Sequence, residues 1–251
     1  MIWFSKSFAH LLFGGVLATL WQAKLAEAST CLLIYQMADN DLEPYLKKDF
    51  EELAQSRVIR SDDLRAWVYF DARNSGGEPP QGLFDEDGSL TTASFTGSRY
   101  MTFDKTLGGM RVLRTLSGEQ NSDSLEVIQA FLEFGITDCL AGGFSSFMAV
   151  FSSHGGGFGG FGGDDNIRLR GLAMQYNHII AEAIQGALSN TPGAPDKLDV
   201  LGFDACNMMA MGAADDYMKV SKYFMGSEAV EPGHGTFFIG CYSLLLFLFS
   251  C

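Results

Sequence analysis

Residues 146–157 read SFMAVFSSHGGG, and residues 198–207 read LDVLGFDACN. Each stretch opens as a short apolar run of strand length and ends abruptly in small and polar residues. Apolar runs without alternation suit strands buried on both faces, as in a parallel sheet covered by helices. Residues 31–37 (CLLIYQM) and 66–70 (AWVYF) repeat the pattern, and 222–226 (KYFMG) offers a fifth strand. Between these runs the apolar positions fall at helical spacing. Helices are expected over 42–56, with Asp39 as a cap, and from Asp123 or Ser124 through about 138. Two more are expected over 172–188 and 208–220. Strands alternating with helices predict an α/β fold, with a mostly parallel central sheet and helices on both faces. Residues 74–100, rich in Gly, Pro, Asp, Ser and Thr, are read as a loop or hairpin with a turn at Asp87-Gly88.

Composition narrows the function. The chain has 251 residues, with 17 basic and 30 acidic side chains and a formal net charge of −13. Hydrophobic residues make up 47% and charged residues 19%, which excludes intrinsic disorder. A strongly acidic chain lacks the basic face that phosphate binding needs, so nucleic acid is excluded as the main partner. The length suits one large domain with a core of its own. Five cysteines without a CxxC pair indicate neither a zinc site of the usual spacing nor a small disulfide scaffold. Cys31 and Cys139 are read as inert buried thiols.

Both ends are set apart. Residues 1–28 read as a secretory signal peptide: Lys6 is the basic flank, 11–21 (LLFGGVLATLW) is apolar, and Ala26 and Ala28 precede the cleavage point. The apolar run falls short of a membrane span of about 20 residues, so no stable membrane insertion is expected. Residues 236–251 form an apolar tail that reads as a last buried strand, as a membrane-seeking segment, or as a reading frame run into non-coding sequence. The last is favoured. The remaining domain covers 29–235.

Chemistry in open α/β sheets collects at the carboxyl ends of the strands. His154 follows one strand end and Cys206 another. A nearby imidazole can turn the thiol into a thiolate, the nucleophilic form. A helix starting at once after Cys206 would favour the thiolate through its dipole. The N–H groups of Gly155 and Cys206 could hold a developing oxyanion. Either residue alone is more often structural, and the case rests on the pair. Gly155-x-Gly157-x-x-Gly160 also matches a dinucleotide fingerprint, but no helix opens at its third Gly, as pyrophosphate binding requires. The run Asp39-Asn40-Asp41-Leu42-Glu43 starts like a calcium loop, yet Pro44 stands where Gly is needed.

Four blocks together resemble the clostripain family of cysteine peptidases: LLIYQMADNDLE at 32–43, FSSHGGG at 151–157, FDACNMMAM at 203–211 and GSEAVEPGHG at 226–235. The resemblance implies a caspase-like αβα sandwich, and the separation of 52 positions from His154 to Cys206 is close to the ~50 of caspases. It implies a His154–Cys206 dyad with no essential third member and no cofactor required for the chemistry. It implies protein or peptide substrates with Arg or Lys at P1, the residue before the cut bond. Asp204 would read that cation, with Glu228 or Glu231 as a second acid. Calcium is possible, at a site that sequence does not place. Self-cleavage is expected between His154 and Cys206, with Arg168 and Arg170 as candidates and Lys197 less accessible. The rival readings are an inactive, truncated relative acting as a binding or structural module, a peptidase of different P1 preference, and a nucleotide-binding α/β domain.

Overall fold

A computed structural model of the chain describes residues 29–73, 77–164 and 174–231. The expected signal peptide, the apolar tail, Arg168, Arg170, Cys241 and Cys251 lie outside the described residues. Eight strands form one sheet among the described residues. They are β1 (Thr30–Ala38), β2 (Leu64–Ala72), β3 (Leu83–Phe84), β4 (Gly97–Asp104), β5 (Gly109–Thr115), β6 (Ser146–Ser152), β7 (Leu198–Asp204) and β8 (Ser221–Met225). Their order across the sheet is β3-β5-β4-β2-β1-β6-β7-β8. The five neighbours from β2 to β8 run parallel, while β4 is antiparallel to β2 and β5 antiparallel to β4.

The helices are α1 (Glu43–Gln55), α2 (Leu125–Ala141), α3 (Asn177–Asn190) and α4 (Met211–Tyr217). Helix α1 packs Leu46, Phe50 and Leu53 on one face of the sheet, against Leu32, Ile34 and Val68. Helices α2, α3 and α4 cover the other face, against Leu33, Tyr35, Phe151 and Phe203. The expected mostly parallel αβα layering is therefore present, matching the caspase-like expectation. All nine residues of β1 are buried, as its central place requires.

Four expectations change. Residues 74–100 are not all loop. They contain β3 and the start of β4, and the β4–β5 hairpin turns at Asp104–Gly109, beyond the segment read as turn-rich. The Asp87-Gly88 turn is present, with the Gly88 N–H donating to Asp85 O at 2.9 Å. Asp39 does not cap α1. Its N-cap position is Leu42, which makes no side-chain cap, and Asn40 Oδ1 accepts from the Leu42 N–H at 2.9 Å instead. The expected helix over 208–220 shrinks to the seven residues of α4, beginning five residues after Cys206. Its dipole therefore does not reach the thiol as expected, because the effect falls off within the first turn.

The fourth change is covalent. Cys31 and Cys139 are not free thiols but a disulfide, with Cα atoms 5.9 Å apart, tying β1 to the end of α2. Closing a loop of 108 residues stabilises a fold by about 4–5 kcal/mol in the chain-entropy account.

Candidate active site

Buried Asn40 organises the carboxyl edge of the sheet. Its Nδ2 donates to Met37 O (2.9 Å), to Gly163 O (2.8 Å) and to Ser153 Oγ (3.2 Å). Ser153 Oγ in turn donates to Met37 O at 3.1 Å. The ends of β1 and β6 and the far side of the glycine loop are thus pinned to one side chain. His154, the next residue, leaves this anchor with its imidazole partly exposed. Its Nε2 lies 2.7 Å from Asp41 Oδ1, and this hydrogen bond holds the Asp41 carboxyl below the usual carboxylate range. Sequence reading missed Asp41 in this role, since 113 residues separate the partners.

Gly155 is where the two strand ends meet. A Cβ on Gly155 would lie 2.2 Å from Cys206 O and 3.0 Å from Cys206 N. Only glycine allows this approach, and it sets the backbone of the residue after His154 directly against that of Cys206. The bridge between Gly155 and Phe161 is made by Gly162 N to His154 O (2.9 Å) and Gly156 N to Gly160 O (2.9 Å), which leaves the Gly155 N–H out of the ladder.

Cys206 is the free cysteine among the described residues and is partly buried. Its Sγ accepts from the Glu231 N–H at 3.3 Å and contacts Glu231 O at 3.8 Å. Residues 227–231 run beside the turn after Cys206, through Met209 N to Ser227 O (2.8 Å) and Asn207 N to Ala229 O (2.9 Å). Asn207 sits at φ 60°, in the left-handed region that suits Asn best after Gly. Of the two acids expected on this segment, Glu231 brings its main chain to the thiol and Glu228 is exposed.

Asp204 ends β7, partly exposed, on the α1 side of the sheet. In register it lies beside Ser152 of β6, which lies beside Gln36 of β1. Among the described residues the glycine loop opens no long helix: a 3-10 turn, Gly157–Gly159, follows, residues 160–164 are not helical, and the next described helix, α3, begins at Asn177. The segment thus lacks the helix N-terminus that a dinucleotide needs.

A cation could be held elsewhere on this edge. Carboxylate oxygens of Asp39, Glu119 and Asp164 lie within 4.8 Å of one another, with Asp39 and Asp164 buried. Ser122 donates from N (3.2 Å) and Oγ (3.4 Å) to Asp164 Oδ2. Close by, burial pushes Asp71 up to about 8, with the Asp164 charge adding to the rise and a 2.6 Å bond from Ser98 opposing it.

The sequence profile of the clostripain family matches residues 34–243. The chain belongs to the clostripain family. Solved structures that share its fold include three C11 proteases. A secreted C11 cysteine protease from Bacteroides thetaiotaomicron, in complex with an irreversible peptide inhibitor, superposes with a TM-score of 0.64 at 21% identity, over 86% of this chain and 53% of that one. The secreted C11 cysteine protease "iotapain" of the same organism gives 0.62 at 12% identity, over 87% and 57%. An inactive zymogen C11 protease from Parabacteroides distasonis gives 0.55 at 20% identity, over 86% and 53%. The clostripain-family chain spans little more than half the length of these structures. No match emerges among the curated proteins.

Proposed function

We propose that this clostripain-family chain is an exported cysteine endopeptidase that cuts after Arg or Lys through His154 and Cys206. The observation that carries the reading is the seating of Gly155 on the Cys206 backbone, which brings a histidine and a free cysteine to adjacent strand ends. Asp41 occupies His154 Nε2, so Nδ1 is the nitrogen left to take the thiol proton. The thiolate of Cys206 attacks the peptide carbonyl carbon, and the carbonyl electron pair moves onto oxygen. The N–H groups of Gly155 and Cys206 receive that charge. Collapse breaks the C–N bond, the amine leaves with the proton from His154, and an acyl-enzyme remains. Water, deprotonated by His154, then releases the acid and restores the thiol. Asp204 pairs with the cationic P1 side chain, as a carboxylate pairs well with guanidinium.

Export is supported by the Cys31–Cys139 bond, since disulfides persist in oxidising compartments. Arg168 and Arg170 stay the candidates for self-cleavage; replacing both with Ala while two fragments of unchanged size persist would dispose of them. Asp39, Glu119 and Asp164 offer the hard oxygen donors that suit calcium, as a structural ion outside the chemistry. The deciding assay compares Arg, Lys, Asp and Asn aminoacyl-coumarin peptides with the intact chain and with Cys206→Ala, with and without calcium. Turnover of the Arg and Lys peptides alone, lost in Cys206→Ala, is expected. No turnover of any peptide by folded protein would sink the proposal.

A further inference from the structure

The carboxyl ends of β1, β6 and β7 hold a row of polar side chains on the α1 side of the sheet. Gln36, Ser152 and Asp204 stand in register, neighbour to neighbour. Gln36 and Ser152 are almost fully buried, at 2% and 0% exposure. Yet Gln36 Oε1 and Ser152 Oγ have no hydrogen-bond partner among the described residues. Buried polar atoms left unpaired cost about 1–3 kcal/mol each, so such a pair calls for an explanation. Helix α1 roofs the row: Gln36 Nε2 reaches Leu46 O at 3.4 Å, and one turn further along the same buried face stands Asp49, 4% exposed. Asp204, at the end of the row, is open to solvent in part.

We propose that Asp49 is a second specificity-determining carboxylate for the P1 cation, completing with Asp204 a polar pocket between α1 and the sheet. The proposal rests on the Arg or Lys preference argued above, and deepens it. A guanidinium carries five N–H donors. It would find Asp204 at the entrance, Asp49 overhead and the unpaired acceptors of Gln36 and Ser152 at the base. Asp49 is pushed up to about 7, by burial first and then by the charges of Asp204 and Glu52, with Lys48 opposing. The charges that act on it are those of Lys48 and Glu52 from α1 and Asp204 from β7. Near neutral pH Asp49 is therefore about half protonated while the pocket is empty. A cation entering beside Asp204 favours ionised Asp49, so binding expels a proton to solvent. The sign follows: cation affinity rises with pH through the range in which Asp49 titrates.

The test uses benzamidine, an amidinium probe that needs no catalysis, titrated calorimetrically into the whole chain. Expected are proton release at pH 7, read from two buffers of different ionisation enthalpy, and roughly tenfold tighter binding at pH 8 than at pH 5.5. Asp49→Asn should abolish the proton release and the pH slope, weaken binding at pH 8 about tenfold, and raise KM for Arg peptides while leaving kcat nearly unchanged. Wild-type protein that binds benzamidine without proton release overturns the role of Asp49 alone, and that measurement needs no variant to fold. Unchanged affinity and slope in Asp49→Asn overturn it equally. Failure of the wild type to bind the probe at any pH overturns both this proposal and the P1 reading beneath it.

Discussion

The two faces of the sheet differ most where three strands end. Near these ends three adjacent pairs stand in register: Tyr35 and Gln36 on β1, Phe151 and Ser152 on β6, and Phe203 and Asp204 on β7. The first of each pair joins the α2 and α3 side, where Tyr35 stacks on Tyr69 at 4.3 Å, Phe151 on Phe203 at 5.5 Å, and Phe203 meets Tyr217 at 4.5 Å. The second faces α1 and is polar. Because strand side chains alternate faces, adjacent residues of one strand can serve stability and recognition separately. The aromatic face fixes the position of the backbone on which the polar face is displayed.

That division can be broken deliberately. Cys206→Ala should lower turnover by roughly four orders of magnitude or more, with melting temperature and circular dichroism unchanged; a comparable residual rate would move the nucleophile elsewhere. Phe203→Ala strikes the aromatic face and should cost about 3–5 kcal/mol in denaturant unfolding. Its neighbour Asp204→Asn should leave the unfolding midpoint almost unmoved and lower kcat/KM for Arg and Lys peptides roughly a hundredfold. If both variants lose stability alike, the faces are not separable.

Asp49 gives a smaller, pH-dependent effect. Its folded pKa of about 7 stands above its unfolded value, so the stability tied to the neutral form is complete below the unfolded pKa. It is lost as pH rises through about 7. The melting temperature should fall by roughly 5 °C from pH 5 to pH 8, and less in Asp49→Asn. Smallest is Asp41→Asn, expected to cut kcat about tenfold by loosening the imidazole while KM holds. An unchanged kcat would make the contact incidental.

Sequence was legible where a single element carried the signal. The five parallel strands announce themselves as unbroken apolar runs, and His154 and Cys206 stand out because each follows such a run among small residues. The β4–β5 hairpin does not, since GSRYMTFD and GMRVLRT mix Arg and Thr into half-exposed strands near the sheet's edge. Asp49 sits in an ordinary amphipathic helix, and nothing in its sequence neighbours tells that it is buried and feels the charge of Asp204. Asp41 looked like part of a cap or an ion loop because its partner, His154, follows a different strand 113 residues away. The disulfide was hidden for the same reason, as two lone cysteines at unremarked spacing.

That disulfide also orders events in time. The cysteines emerge as Cys31, Cys139, Cys206, Cys241 and Cys251. At about 5–20 residues per second, Cys31 waits roughly 5–20 seconds for a partner 108 residues behind it. The next thiol to appear is Cys139, the correct one. Cys206 follows several seconds later, so vectorial emergence presents the two structural thiols to each other before the third thiol is available.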